Sequence, residues 1–123
     1  MSETIKVGQL DFMIENRFAG QERDGGPSMQ VLADIDGTRV QVLRFDMFRI
    51  QPHYHYAPTG MNTRYDLDPL TVDDGIGWVI GMLNKKLPQL VAKAGYEKTA
   101  DASTVEATQK ALPDIEKRWR ALG

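Results

Sequence analysis

The chain has 123 residues, no cysteine and a formal net charge of −2, with 41% hydrophobic and 26% charged residues. This length fits a single domain over residues 1–123, and the composition is not that of a disordered chain. The lack of cysteine excludes a disulfide framework and a thiolate zinc site, and the near-neutral charge argues against a nucleic-acid partner. The longest apolar run, residues 76–83, is too short to span a membrane, and the first residues show no signal-peptide core. We therefore expect a cytoplasmic protein with no membrane partner.

The first part of the chain, residues 1–68, has the patterns of strands and loops. Apolar and polar residues alternate in residues 10–18 and again in residues 29–35, which is typical of half-buried strands. The glycine-rich residues 20–27 between them predict a loop. In residues 40–50 the alternation changes phase near Leu43, which indicates either a β-bulge or burial on both faces. We favour burial on both faces, with a partner subunit as a candidate cover.

Asp36-Gly37 lies between two of these strands and predicts a type I′ hairpin, because both turn positions need positive φ. A two-residue turn would pair Asp34 with Arg39 and Val31 with Val42. This register brings opposite charges together and apolar residues together, so the hairpin is internally consistent.

The second part, residues 69–123, has the three- and four-residue spacing of amphipathic helices. Apolar stripes cover residues 76–94 and 105–122, and Pro88 and Pro113 interrupt them. Thr71 is a candidate N-cap for the first helix, and Ser103 with Glu106 forms a capping box for the second. Strands followed by helices predict an α+β fold: a small antiparallel sheet of three to four strands, packed by C-terminal helices kinked at both prolines or divided there into shorter helices.

The segment most suited to chemistry is residues 52–68, which we call the Tyr/His segment. It holds both histidines of the chain and three of its four tyrosines. In an extended conformation, His53 and His55 point to one side, and Tyr54 and Tyr56 point to the other. The candidate ligand-binding residues are His53, Tyr54, His55, Tyr56, Arg64, Tyr65 and Asp66.

Three interpretations of the Tyr/His segment remain open. We favour a non-enzymatic binding or self-association module in a homodimer, because tyrosine and arginine are enriched at interfaces. A pocket for a small polar or anionic ligand is the second interpretation. The third is an enzyme, with acid–base or metal-ligand roles for His53, His55 and Asp66. A metal site could also use Asp68, but no third ligand has a diagnostic spacing, so we assign no cofactor and no catalytic residue.

Four short motifs carry a family resemblance. They are Asn-Arg-Phe-Ala-Gly-Gln at residues 16–21, Leu-Arg-Phe-Asp at 43–46, Pro-His-Tyr-His-Tyr at 52–56 and Asp-Gly-Ile-Gly-Trp at 74–78. Over residues 15–96 the chain resembles a family of short bacterial proteins catalogued only as a domain of unknown function. The resemblance implies a bacterial, cytoplasmic protein, and it implies no activity, ligand or catalytic residue.

Overall fold

A computed structural model describes residues 2–21 and 23–122. The order of elements is β1 (Ser2–Val7), β2 (Leu10–Ala19), β3 (Asp24–Ile35), β4 (Thr38–Asp46), β5 (His53–Tyr56), β6 (Thr63–Asp66), α1 (Gly75–Lys93), a short 3₁₀ turn (Glu97–Thr99) and α2 (Ala102–Ala121). The strands form an antiparallel sheet in which each strand pairs with the next along the chain. The fold is therefore α+β, but the predicted number of three to four strands is wrong, because the sheet has six strands.

The two edge strands, β1 and β6, account for most of this difference. Their sequences, SETIKV and TRYD, are mostly polar, and Ile5 and Val7 of β1 and Tyr65 of β6 are too few apolar residues to reveal a half-buried strand by alternation. The glycine-rich segment also differs from expectation, since β3 begins at Asp24 and residues 24–27 pair with the end of β2. Cross-strand hydrogen bonds thus extend the sheet into segments that local sequence preference leaves as loops.

The Asp36-Gly37 hairpin joins β3 to β4. Both turn residues have positive φ, 51° and 82°, and Asp34 pairs with Arg39 as predicted. The predicted pairing of Val31 with Val42 is wrong, because the register shifts and Val31 pairs with Leu43. The change of phase in β4 is a β-bulge, which sets which side chains of β4 face the helices. The later part of the strand is also buried on both faces, since Val42, Leu43, Phe45 and Asp46 are each at most 3% exposed.

The helices start at other residues than the capping patterns predict: the cap of α1 lies three residues later, and the cap of α2 lies two residues earlier. Asp74, not Thr71, caps α1 by accepting from the backbone N–H of Gly77, and Asp101 caps α2 in place of Ser103. Each helix is continuous through its proline, so the division into shorter helices is wrong, whereas the kinks stay a prediction. Burial of apolar residues on both sides of each proline offsets the backbone hydrogen bond that proline cannot make.

The helices cover one face of the sheet and build the hydrophobic core there. The fully or nearly buried sheet residues on this face include Leu10, Phe12, Ile14, Met29, Val31, Ala33, Leu43, Phe45 and Tyr56. From the helices they meet Ile76, Val79, Leu83, Leu87, Leu90, Val91, Leu112, Ile115 and Trp119. In the described part of the chain, neither helix combines the length and the apolar character of a membrane-spanning segment.

Candidate functional site

A row of polar side chains crosses the sheet on the face opposite the helices. Strand register aligns Ser28 with Asp46, Asp46 with His53, and His53 with Asp66. The neighbouring row aligns Gln30, Arg44, His55 and Arg64 across the same four strands. Since side chains two apart on a strand share a face, both rows lie on the same surface.

Asp46 is the centre of this surface and is only 3% exposed. Its Oδ1 accepts a hydrogen bond from the Ser28 hydroxyl at 2.7 Å, and its Oδ2 lies 3.1 Å from Arg44 Nε and 3.2 Å from His53 Nε2. Burial by itself would raise the pKa of Asp46, but the hydrogen bonds from His53 and Ser28 lower it below its ordinary value. Asp46 is therefore an ionised carboxylate held in place by several donors.

The two imidazole rings are oriented by carbonyl oxygens. Nδ1 of His53 lies 3.0 Å from the backbone oxygen of Gln51, and Nδ1 of His55 lies 2.8 Å from Oδ1 of Asn62. Because a carbonyl oxygen only accepts, each Nδ1 must donate its hydrogen. Each Nε2 is then turned toward Asp46 Oδ2, at 3.2 Å for His53 and 3.9 Å for His55.

The two histidines have opposite pKa shifts. Burial of the His53 ring opposes protonation, but its hydrogen bonds to Asp46 and to the Gln51 carbonyl raise its pKa above the ordinary value. Burial, followed by the positive charge of His53, lowers the pKa of His55. Of the two rings, His53 therefore binds a proton more readily than His55.

A buried carboxylate holds the loop that leads into β5. Asp24 accepts hydrogen bonds from the backbone N–H groups of Gly25, Ile50 and Gln51 at 2.8–2.9 Å. Residues 25 and 27 of β3 also accept backbone hydrogen bonds from residues 49 and 47 of this loop. These contacts fix the chain just before His53 and so place its ring against Asp46.

Beside this cluster lies a cavity of about 440 Å³. Its described lining residues are Arg17, Phe18, Ala19, Gly20, Gln21, Arg44, Asp46, Phe48, His53, His55 and Arg64. Three guanidinium groups thus surround a space in which Asp46 is the one acidic residue among those named. Phe18 is 73% exposed at the tip of the β2–β3 hairpin, whereas Phe48 is buried and packs edge-on against His53.

The structure divides the predicted ligand-binding residues between the two faces of the sheet. His53, His55 and Arg64 line the cavity, and Asp66 bonds to Arg64 at its rim, with Nε and Oδ1 2.9 Å apart. The three tyrosines of the Tyr/His segment lie on the helix side. There Tyr54 stacks on Phe45 and Tyr65 and contacts Trp78, while Tyr56 is buried.

These tyrosines also meet a cation from α1. Lys93 Nζ lies 5.0 Å from the ring centre of Tyr56, 4.8 Å from that of Tyr65, and 3.1 Å from the Tyr65 hydroxyl. Burial and the neighbouring tyrosines raise the pKa of Tyr56 above its ordinary value. The tyrosine cluster therefore attaches α1 to β5 and β6, and no tyrosine is among the described residues of the cavity wall.

Among the described residues, the carboxylate that meets both histidines is Asp46, and neither Asp66 nor Asp68 joins that group. Asp68 instead accepts from the backbone N–H of Leu70 in the turn that follows β6. Sequence reasoning missed Asp46, Arg44 and Arg17. The available signal for Arg44 and Asp46 was their alternation with apolar residues in the second half of β4, Val-Leu-Arg-Phe-Asp at residues 42–46.

Comparison with known proteins adds a family but no activity. Residues 4–119, nearly the whole chain, match the family model described as a domain of unknown function, DUF7700. No curated protein and no solved structure matches the chain.

Proposed function

This chain belongs to the DUF7700 family, a domain of unknown function, and we propose that it binds a small organic anion in the cavity on the helix-free face of the sheet. The observation that carries the proposal is the convergence of Arg17, Arg44 and Arg64 on a space lined by a single described acid, Asp46. Guanidinium groups are permanently charged and match carboxylate and phosphate oxygens in geometry.

The guanidinium groups have donors left for a ligand. Asp46 already accepts from Ser28 and Arg44 and contacts His53, so little of its capacity remains for Arg17. In the described part of the chain, the ion pair recorded for Arg17 is the long one to Asp46, at 3.9 Å. An anion entering the cavity would therefore gain charge-assisted hydrogen bonds and displace no strong ion pair of Arg17.

The shape and apolar lining indicate the rest of the ligand. A volume of about 440 Å³ lies within the range of small-molecule pockets. Phe18 and Phe48 supply aromatic surface beside the guanidinium groups, and the exposure of Phe18 leaves its ring free to contact a bound molecule. The proposed ligand thus carries a carboxylate or a phosphate on an apolar or aromatic body.

We propose binding rather than turnover, because the charges and aromatic surface of the cavity indicate a ligand class but identify no bond to be broken or formed. Bacterial origin, a cytoplasmic location and a homodimer remain predictions. The structure moves the tyrosines of the Tyr/His segment under α1, so self-association through them has less support than ligand binding.

Calorimetric titration with phenyl phosphate, in a buffer containing EDTA, tests this proposal. Wild-type protein should bind one molecule per chain, and benzyl alcohol, which lacks the charge, should not bind. Arg17→Gln and Arg64→Gln should each weaken binding about tenfold or more, since a charge-assisted hydrogen bond contributes about 1.5–3 kcal/mol. Higher salt should weaken wild-type binding as well, because ions screen the guanidinium charges.

Arg118→Gln is the matched control. Arg118 is similar in exposure to Arg64 and also bonds to a neighbouring acid, Asp114, at 3.0 Å, but it lies on α2, away from the cavity. Its replacement should leave the affinity for phenyl phosphate within about twofold of wild type. Absence of saturable binding by wild type, or an equal loss in Arg118→Gln and Arg64→Gln, would contradict the proposal.

A further inference from the structure

Two imidazole nitrogen atoms and a carboxylate oxygen face one another beside the cavity. Both Nδ1 atoms donate to carbonyl oxygens, so in the neutral rings both Nε2 atoms carry lone pairs. Both Nε2 atoms lie near Asp46 Oδ2, which is itself an acceptor. A proton on Nε2 of His53 turns its 3.2 Å contact with Asp46 Oδ2 into a hydrogen bond. Nε2 of His55, 3.9 Å from the same oxygen, still has no hydrogen-bond donor among these three residues.

A metal ion satisfies all three atoms at once. Ligand atoms about 2.0–2.2 Å from a shared ion are at most about 4.4 Å apart. The Nε2 atoms of His53 and His55 lie 3.2 and 3.9 Å from Asp46 Oδ2, within this limit, and all three residues offer ligand atoms within 4.8 Å of one another. We propose that these residues form a two-histidine, one-carboxylate site for a first-row transition-metal dication. Such a set leaves coordination positions open, and here they would face the cavity.

The surroundings of the three residues resemble the outer shell of a metal site. Metal-binding histidines generally donate their second ring N–H to a carbonyl or carboxylate oxygen, as both histidines do here with Gln51 and Asn62. Ser28 and Arg44 hold the carboxylate of Asp46 in a fixed orientation. Oδ2 has two lone-pair directions, so it can accept from Arg44 and bind a metal at the same time.

The positive charges of the three arginines disfavour a dication that is bound alone, so the anion should favour metal binding. Arg17, Arg44 and Arg64 line the same cavity, so a metal bound alone would be repelled by their charges. An anion that coordinates the metal and contacts the guanidinium groups would remove this repulsion. Metal and anion should therefore each strengthen the binding of the other by the same factor. This coupling rests on the proposed function, anion binding, whereas metal binding by Asp46, His53 and His55 does not depend on it.

Zinc titration of untagged, EDTA-treated protein, with the EDTA removed, tests the site. Calorimetry should show one Zn²⁺ per chain. The chain has two histidines, so imidazole nitrogen-15 spectra contain the signals of these two rings alone, and the test requires both rings to respond. Both Nε2 resonances should move on zinc binding, while both Nδ1 atoms keep their hydrogens. This readout uses wild-type protein and does not depend on a variant that folds poorly.

Variants give the second arm of the experiment. His55→Gln should weaken zinc binding at least tenfold, with the fold checked by circular dichroism. Asp68→Asn is the control and should bind zinc like wild type, because Asp68 accepts from the backbone N–H of Leu70 after β6 and is neither in the ligand group nor among the described residues of the cavity wall. Failure of Zn²⁺ to saturate a single site, unmoved Nε2 resonances, or a His55→Gln variant that binds zinc like wild type would each overturn the metal site.

Phenyl phosphate titrations with and without one equivalent of Zn²⁺ separate the two proposals. Anion binding in EDTA together with no zinc binding would uphold the proposed function and overturn the metal site. Zinc binding at both histidines, with no binding of phenyl phosphate to the zinc-free or the zinc-bound protein, would uphold the metal site and overturn the proposed function. Binding of both without any mutual change in affinity would overturn the coordination of the anion to the metal.

Discussion

Asp24→Asn should destabilise the fold, because Asp24 connects the start of β3 to the loop before β5. Its Oδ1 accepts from the N–H groups of Gly25 and Ile50, and its Oδ2 accepts from that of Gln51. Asparagine keeps one oxygen for the first two donors. Its NH₂ group would then face the N–H of Gln51, so one hydrogen bond is lost and two become neutral.

The expected loss is about 2–3 kcal/mol. A hydrogen bond to a charged group contributes about 1.5–3 kcal/mol and a neutral one about 1, and an unsatisfied buried donor adds its desolvation penalty. Because Asp24 is 4% exposed, water cannot replace the hydrogen bonds that its carboxylate loses, so their full cost applies there. Gly25 and Gln51 are only half-buried and Ile50 is exposed, so water can replace part of the loss at the donors.

The difference between wild type and Asp24→Asn should also depend on pH. Burial alone would raise the pKa of Asp24, but its backbone N–H donors lower it below the ordinary value. A carboxylate whose pKa is lower in the folded state contributes its stability above the pKa of the unfolded chain, about 3.9. This contribution is lost as the pH falls through the folded pKa, so the two proteins should converge in acid.

Urea unfolding, followed by the fluorescence of the two tryptophans, measures this difference at neutral and at acidic pH. Asp34→Asn is the control, since the Asp34 side chain is 67% exposed and its recorded ion pair, to Arg39, is 3.9 Å long. A loss below about 0.5 kcal/mol in Asp24→Asn at neutral pH would refute the assigned role. A difference that stays constant into acid would refute the electrostatic part of it.

Two further predictions concern the core and the surface. Phe12→Ala removes a fully buried ring and should cost about 3–5 kcal/mol in urea unfolding, and a loss below about 1 would contradict its place in the core. Arg120→Gln breaks the contacts of 2.8 and 3.2 Å to Asp74, yet it should cost less than about 1 kcal/mol because both side chains are largely exposed. Its effect should shrink in high salt, and a loss independent of salt would contradict an ionic contribution.

The residues of the site show which of its features the local sequence pattern predicts. Alternation in an extended segment predicted that His53 and His55 share a face opposite Tyr54 and Tyr56, and the strand has that arrangement. Asp66 and Asp68, the acids that follow the histidines within the Tyr/His segment, were the predicted candidates for a third ligand. The carboxylate that meets both histidines belongs to the preceding strand, because β4 pairs with β5 and sets Asp46 opposite His53.

By itself, the sequence determined what depends on neighbours along the chain: the order of strands before helices, the Asp-Gly turn, and the amphipathic stripes. Tertiary structure decided the number of strands, the bulge at Val42 and the identity of the site. Edge strands gain their hydrogen bonds from a partner strand, and one extra residue in a strand reverses the face of every side chain beyond it. That reversal puts Arg44 and Asp46, together with the histidines paired to them, on the same face as Ser28 and Gln30 of β3, so the cavity exists only once the strands have paired.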